Sequence, residues 1–228
     1  MRQWETRTPG AAHAEALHTM IGALGNPGFQ ATVLDNVQPL LPAASWSVYR
    51  TGPRCRPALF LSASRDIPDR TQDCWWAYLS GPYLRDASFG AQAPRRPQLC
   101  HVTAQEIPAE HRARVYEPYG MVERVSVVET EDDALFAVNF YRHAHQPAFT
   151  DAQMASFESV ATPLLALARK QIALSGGERS VPRMSAPPAA AESLASTLPA
   201  GRLRERCWRC DRTSRHAKRM CACGCCRA

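Results

Sequence analysis

Two consecutive alternations of apolar and polar residues constrain the fold more than any other part of this sequence. Residues 122–130 (VERVSVVET) and residues 134–143 (ALFAVNFYRH) each change side-chain character with a period of two. This period is typical of β-strands whose two faces meet different surroundings. The short acidic stretch between them, EDD, suits a tight turn. We therefore predict an antiparallel hairpin.

Other segments carry helix or strand signals with recognisable ends. The residues before the hairpin contain helical spacing, aromatic and β-branched runs, and stops at Gly and Pro; after it, Thr150 and Asp151 precede a long periodic stretch. We predict helices over 11–25, 29–41, 69–80, 108–120 and 151–174, and strands over 45–50, 58–63 and 98–104. Strand pairs flanked by helices indicate an α+β domain with a central antiparallel sheet and helices on its faces.

The charge of the chain is distributed unevenly. The formal net charge is +6, yet residues 201–228 hold nine Lys and Arg against two Asp and Glu, so the rest of the chain is close to neutral. Any inference about nucleic acid therefore concerns this tail alone. The sequence has no apolar run long enough to span a membrane and no secretory signal at its start, and we expect a cytoplasmic protein.

The composition also divides the chain into segments. We predict a flexible lead over 1–9, a folded domain over 10–175, and a linker rich in Pro, Ala and Ser over 176–200. The remaining segment, 201–228, is a basic, cysteine-rich tail that we expect to be disordered.

Four stretches in this order resemble a known family. They are SVYRTGPRCRPALFLSAS, CWWAYLSGPYLRDASF, EIPAEHRARVYEPYGMVERVSVV and LFAVNFYRHAHQPAFTDAQMASFESVATPLLALARK. Together they are similar to the N-terminal sensory region of LuxR-type bacterial transcriptional regulators, a GAF-like domain. The resemblance covers about residues 10–175. It implies a sensor followed by a linker and a C-terminal helix-turn-helix that binds DNA.

The tail departs from what this resemblance implies. Arg204 and Glu205 match part of the phrase that opens such a DNA-binding domain, but no apolar helical pattern follows Cys207. One interpretation is a helix-turn-helix that is missing or read out of frame. This interpretation fits a chain with 25 Arg and two Lys, which indicates a GC-rich gene. DNA binding, expected for the full-length family, is then doubtful for this chain.

Two other interpretations of the tail stay open. The pairs Cys207–Cys210 and Cys223–Cys226 have the spacing of a tetrahedral zinc site, which gives the alternative of a small metalloprotein whose tail binds zinc and contacts nucleic acid. The tail is also basic enough to contact phosphates without specificity, or to remain a solvated arm.

No enzyme is predicted. The sequence lacks a Gly-rich phosphate loop, an HExxH motif and a GxSxG motif. Cys74 and Cys100 are interpreted as packed thiols, and a reaction through either would need a depressed pKa. His143 and His145 could face one side of a strand as metal ligands, but we interpret them as solvated. We therefore predict no cofactor and no metal.

Aromatic residues are the best candidates for a ligand site. A GAF-like sensor binds its ligand between the sheet and the segments that cover one face, where amphipathic rings are favoured. We select Trp46, Trp76, Tyr83 and Tyr116 as candidate ligand-binding residues; the alternative is that each is an ordinary core or cover residue. We also predict a small-molecule ligand and a homodimer that forms through the helix at 150–174.

Overall fold

A six-stranded antiparallel sheet forms the centre of the structure, a computed structural model that describes residues 1–5, 13–52, 55–86, 96–131 and 134–176. Its strands, in chain order, are β1 Arg2–Glu5, β2 Ser45–Thr51, β3 Ala58–Ser64, β4 Gln98–Thr103, β5 Met121–Glu131 and β6 Ala134–His143. They are arranged in the order β1-β4-β5-β6-β2-β3. The antiparallel sheet predicted from the alternating segments is thus confirmed.

The predicted hairpin lies in the middle of this sheet. β5 pairs with β6 in a register that sets Val125 opposite Phe140 and Val127 opposite Val138. All four side chains are fully buried on the same face. This register follows from the period of two, because a slip by one residue would turn the whole apolar row toward the other face.

Three helices cover that face. They are α1 Ala14–Gly22, α2 Phe29–Val37 and, after the hairpin, α5 Asp151–Leu174. α5 begins with a capping box, as Thr150 Oγ1 accepts from the Gln153 amide at 3.2 Å and Gln153 Oε1 accepts from the Thr150 amide at 2.9 Å. Its inner side chains, including Phe157 and Leu164, are buried against the sheet, at about 1.5–3 kcal/mol of stabilisation each.

The opposite face is covered by smaller elements. They are α3 Thr71–Leu79, a 3-10 turn at Pro82–Arg85, and the cover segment, which we define as residues 104–119. The cover segment consists of four short turns: 3-10 Ala104–Glu106, α4 Ala109–His111, a π-turn Arg112–Tyr116 and 3-10 Glu117–Tyr119. The domain therefore has helical layers on both sides of the sheet, which confirms the predicted α+β class.

Two local predictions need correction. The helix predicted over 108–120 is present as a continuous helical run over 109–119, but it is not a regular α-helix: one α turn passes into a π-turn and then a 3-10 turn. Pro118, which lacks an amide hydrogen, lies in the last turn, and Gly120 ends the run with a left-handed φ of 69°. The lead predicted as flexible over 1–9 begins instead with an edge strand, since Arg2–Glu5 pair with residues 98–101 of β4. Four residues without an apolar alternation gave no sequence signal for this strand.

The predictions for the linker over 176–200 and for the disordered tail over 201–228 lie almost wholly outside the described residues. The zinc, basic-arm and frame-shift interpretations of that tail lie outside them as well. Within the part of the chain that the structure describes, no helix is long and apolar enough to cross a membrane.

Candidate functional site

A cavity of about 280 Å³ opens between the sheet and the elements that cover its second face. β2, β3, β5 and β6 form its sheet wall, α3 forms a second wall, and Val115, Pro118 and Tyr119 of the cover segment close it. The volume is close to the lower end of the range for small-molecule sites, about 300 Å³. The cavity is therefore the candidate functional site.

Two polar side-chain pairs cross between neighbouring strands on the sheet wall. Ser45 Oγ of β2 lies 3.1 Å from His143 Nε2 of β6, and Ser47 Oγ lies 3.2 Å from Tyr141 Oη. All four residues line the cavity. They share one face because Ser45 and Ser47, like Tyr141 and His143, are two residues apart on a strand. The wall thus offers hydroxyl and imidazole groups in fixed positions.

His143 is neutral in this setting. Burial lowers its pKa to about 4, and the nearby ring of His145 acts in the same direction. The two imidazole centroids are 6.2 Å apart. A neutral imidazole has one nitrogen that donates and one that accepts, so the Ser45–His143 pair can exchange roles with a bound molecule.

An aromatic cluster lines part of the cavity. The rings of Tyr49, Trp75 and Tyr78 lie with centroids 5.5 to 6.0 Å apart. Burial raises the pKa of Tyr49 and Tyr78 well above the ordinary phenol value, and it raises the pKa of Tyr141 to about 12. These side chains are phenols rather than phenolates at neutral pH, so their hydroxyl groups keep their protons.

Buried polar groups lie behind the aromatic cluster. Arg124 of β5 is 2% exposed, and its positive charge partly opposes the rise in the pKa values of Tyr49 and Tyr141. Tyr78 Oη donates to Asp86 Oδ2 at 3.0 Å. Among the described residues, Tyr116 Oη and His111 Nδ1 are buried without a hydrogen-bond partner.

The α3 wall carries a partly buried thiol, Cys74. Cys74 lines the cavity, and its Sγ lies 3.9 Å from the carbonyl oxygen of Val115. Burial raises the pKa of this thiol to about 12, and it raises the pKa of Cys100 as well. Because the thiolate is the nucleophile, these surroundings disfavour a reaction through either cysteine.

Arg70, at the beginning of α3, places a positive charge beside the cavity. The guanidinium carbon of Arg70 lies 4.8 Å from the centroid of the Tyr119 ring, and both residues line the cavity. Arg70 Nε also donates to Asp73 Oδ2 at 3.3 Å. Just before the helix, Asp69 Oδ1 accepts from the Thr71 amide at 3.0 Å. Arg70 therefore connects α3 with the cover segment across one side of the cavity.

The four aromatic residues selected from the sequence take different positions. Trp46 is among the lining residues, but its indole packs toward the α1–α2–α5 side, where it stacks on Phe140 at 5.7 Å and its Nε1 donates to the Gln30 carbonyl at 2.9 Å. The other three are not among the lining residues. Trp76 is 38% exposed on the outside of α3, Tyr83 packs edge-on against Tyr78, and Tyr116 is buried in the cover segment.

Sequence reasoning missed the polar residues of the sheet wall. The alternation of β6 places Tyr141 and His143 on one face, which was visible in the sequence, but Ser45 and Ser47 gave no signal of their own. The interpretation of His143 as a solvated residue is wrong, because its side chain is buried with 8% exposure. Within the described ranges, no cluster of three or more potential metal ligands occurs.

Comparison with known proteins gives structural similarity only. No protein-family model matches the sequence, and no curated protein matches it either. Among solved structures, the LBD domain of VqsR from Pseudomonas aeruginosa is 20% identical with a TM-score of 0.51, over 72% of this chain and 99% of that one.

Two further solved structures are similar to a lower degree. SdiA from Escherichia coli is 13% identical with a TM-score of 0.48, over 77% of this chain and 74% of that one. The phycoerythrobilin-bound GAF domain of a cyanobacterial phytochrome is 11% identical with a TM-score of 0.44, over 72% and 97%. At 20% identity, the similarity to the VqsR LBD domain shows that the two chains share a fold.

Proposed function

We propose that this chain is the sensory part of a LuxR-type transcriptional regulator and that it binds a small molecule in the cavity. The cavity between the sheet and α3 carries the proposal, because it combines an aromatic interior with a few fixed polar groups. The resemblance of residues 10–175 to the family and the structural similarity to the VqsR LBD domain support it.

The position of the cavity suits a sensor. α3 and the cover segment, which close it, consist of one short helix and several single turns, whereas the opposite face is closed by the 24-residue helix α5. Short elements with few internal hydrogen bonds respond more readily to a ligand than a long packed helix does. The proposed sensory domain is 10–175, and the proposed linker to an output segment is 176–200.

A screen by thermal unfolding tests the proposal. The purified full chain is heated with a library of small organic molecules of varied polarity. A true ligand at a hundredfold excess over its Kd should raise the unfolding temperature by about 5–10 °C. If no compound in the library raises it, the proposal is contradicted.

A matched pair of variants locates the binding. Cys74→Phe fills the cavity from α3, while Gln72→Phe adds the same ring to the exposed side of the same helix. We expect the ligand-induced shift to disappear in C74F and to persist in Q72F. An equal shift in both folded variants would place the ligand elsewhere and contradict the proposed site.

A further inference from the structure

The charges around the cavity indicate the class of its ligand, an inference that rests on the function proposed above. We propose that the cavity selects a small organic carboxylate with an aromatic or apolar body, and that Arg70 binds its carboxylate group.

The charge on the cavity lining is positive. Among the described residues that line the cavity, Arg70 is the only side chain that is charged at neutral pH, and none is Asp or Glu. His143 is neutral there, since burial lowers its pKa. Arg124 adds a second positive charge behind the tyrosines, with Asp86 near Tyr78 as the negative group on that side. A ligand cation would find no carboxylate on the lining to pair with, whereas an anion finds a guanidinium.

The hydrogen-bonding groups of the lining also favour a carboxylate ligand. Ser47 and Tyr141 share a single hydrogen bond between two hydroxyl groups, so one of their two hydroxyl hydrogens remains to be donated. The tyrosines keep their protons because burial raises their pKa values. The cavity therefore offers donors, and a ligand that carries acceptor oxygens satisfies them.

Arg70 is placed to bind such a group. Its Nε donates to Asp73 Oδ2 at 3.3 Å, and within the described part of the chain its terminal amino groups make no hydrogen bond. The Tyr119 ring, 4.8 Å away, holds the guanidinium beside the cavity. The guanidinium fork matches a carboxylate with two parallel hydrogen bonds. Asp73 competes with a bound carboxylate for the Arg70 guanidinium, so removing the charge of Asp73 should strengthen carboxylate binding.

Calorimetric titration with three probes of one shape tests the inference. The probes are 2-naphthoate, 2-naphthamide and 2-naphthylmethylammonium, which share the ring and differ in charge. We expect 2-naphthoate to bind about fivefold more tightly than 2-naphthamide, the size of one half-exposed ion pair, and the ammonium probe to bind most weakly. The advantage of 2-naphthoate should shrink at high salt.

Three variants assign the effect to Arg70. Arg70→Gln should abolish the preference for 2-naphthoate and leave the affinity for 2-naphthamide unchanged. Asp73→Asn should increase the preference, a gain that damaged folding cannot produce. Arg65→Gln is the control, because Arg65 is also half-exposed and paired with a carboxylate, at 2.6 Å from Asp35, but does not line the cavity.

Three results would overturn the inference. They are equal or tighter binding of the neutral or cationic probe, a preference that survives in R70Q, and failure of all three probes to bind. If the probes fail while the library screen finds a neutral ligand blocked by C74F, this inference is wrong and the proposed function stands. If the screen also finds nothing, both are wrong.

Discussion

Ser45 Oγ lies 3.1 Å from His143 Nε2 on the cavity face of two paired strands, although 98 residues separate them in the chain. A neutral His143 can accept a hydrogen bond from the Ser45 hydroxyl or donate one to it, according to its tautomer. Burial favours the neutral form by lowering the pKa of His143 to about 4. The imidazole of His143 also lies beside the ring of His145, at a centroid distance of 6.2 Å.

The buried imidazole of His143 makes the stability of the fold depend on pH. The unfolded chain binds a proton at an ordinary pKa near 6.5, and the folded chain binds it only near pH 4. Stability is therefore complete above about pH 6.5 and falls as the pH decreases toward 4, by about 2 kcal/mol at pH 5. Urea unfolding of the wild type and of His143→Gln from pH 7.5 to pH 5 measures this loss.

The variant should show a shallower dependence rather than none. His111 is also buried and its pKa is lowered in the same direction, so its contribution remains in H143Q. Identical pH profiles for the wild type and H143Q would contradict the assignment to His143.

Trp46 and Trp76 should differ strongly in their importance for stability. Trp46 is 1% exposed, stacks on Phe140 and donates to the Gln30 carbonyl, whereas Trp76 is 38% exposed. Trp46→Ala should lower the free energy of unfolding by about 3–5 kcal/mol, and Trp76→Ala by less than about 1 kcal/mol. Denaturant unfolding of both variants checks this, and equal losses would contradict the burial assigned to the two indoles.

Glu123 connects three parts of the fold through a buried carboxylate. It is paired with Arg142 and with His101 at 2.6 Å, and it accepts from the Phe149 amide at 3.3 Å just before α5. Glu123→Ala leaves the partly buried Arg142 without its counter-charge and removes the acceptor of the Phe149 amide, and we expect a loss of about 3 kcal/mol. Glu117→Ala, which removes an exposed partner of Arg112, should cost less than about 1 kcal/mol. Comparable losses in chemical unfolding would contradict the role of Glu123.

Cys74 should react slowly with thiol reagents in the folded protein. A pKa of about 12 instead of 9.0 leaves roughly a thousandfold less thiolate at neutral pH. Maleimide labelling of the peptide that contains Cys74, followed by mass spectrometry, should be slow in the native protein and fast in urea. Fast labelling of Cys74 in the native state would contradict the buried environment described for it.

Local patterns in the sequence are sufficient to predict the elements that have a strong period. The hairpin of β5 and β6, the strands near residues 45 and 58, and the capped helix α5 follow from alternation, helical spacing and the Thr150–Gln153 pair. These signals are local, because the period of side-chain exposure fixes the backbone type that can bury one face. The α+β class follows from their order.

The set of residues that meet at the cavity depends on how the elements pack, and local patterns do not predict it. Alternation shows that Ser45 and Ser47 share a face and that Trp46 lies on the other, but it does not show which face is covered by α3 and which by α5. The edge strand Arg2–Glu5 likewise depends on its pairing with β4. The contact between Arg70 and Tyr119 joins residues from different elements. Such contacts arise from strand register and packing between elements distant in sequence, and no local pattern encodes them.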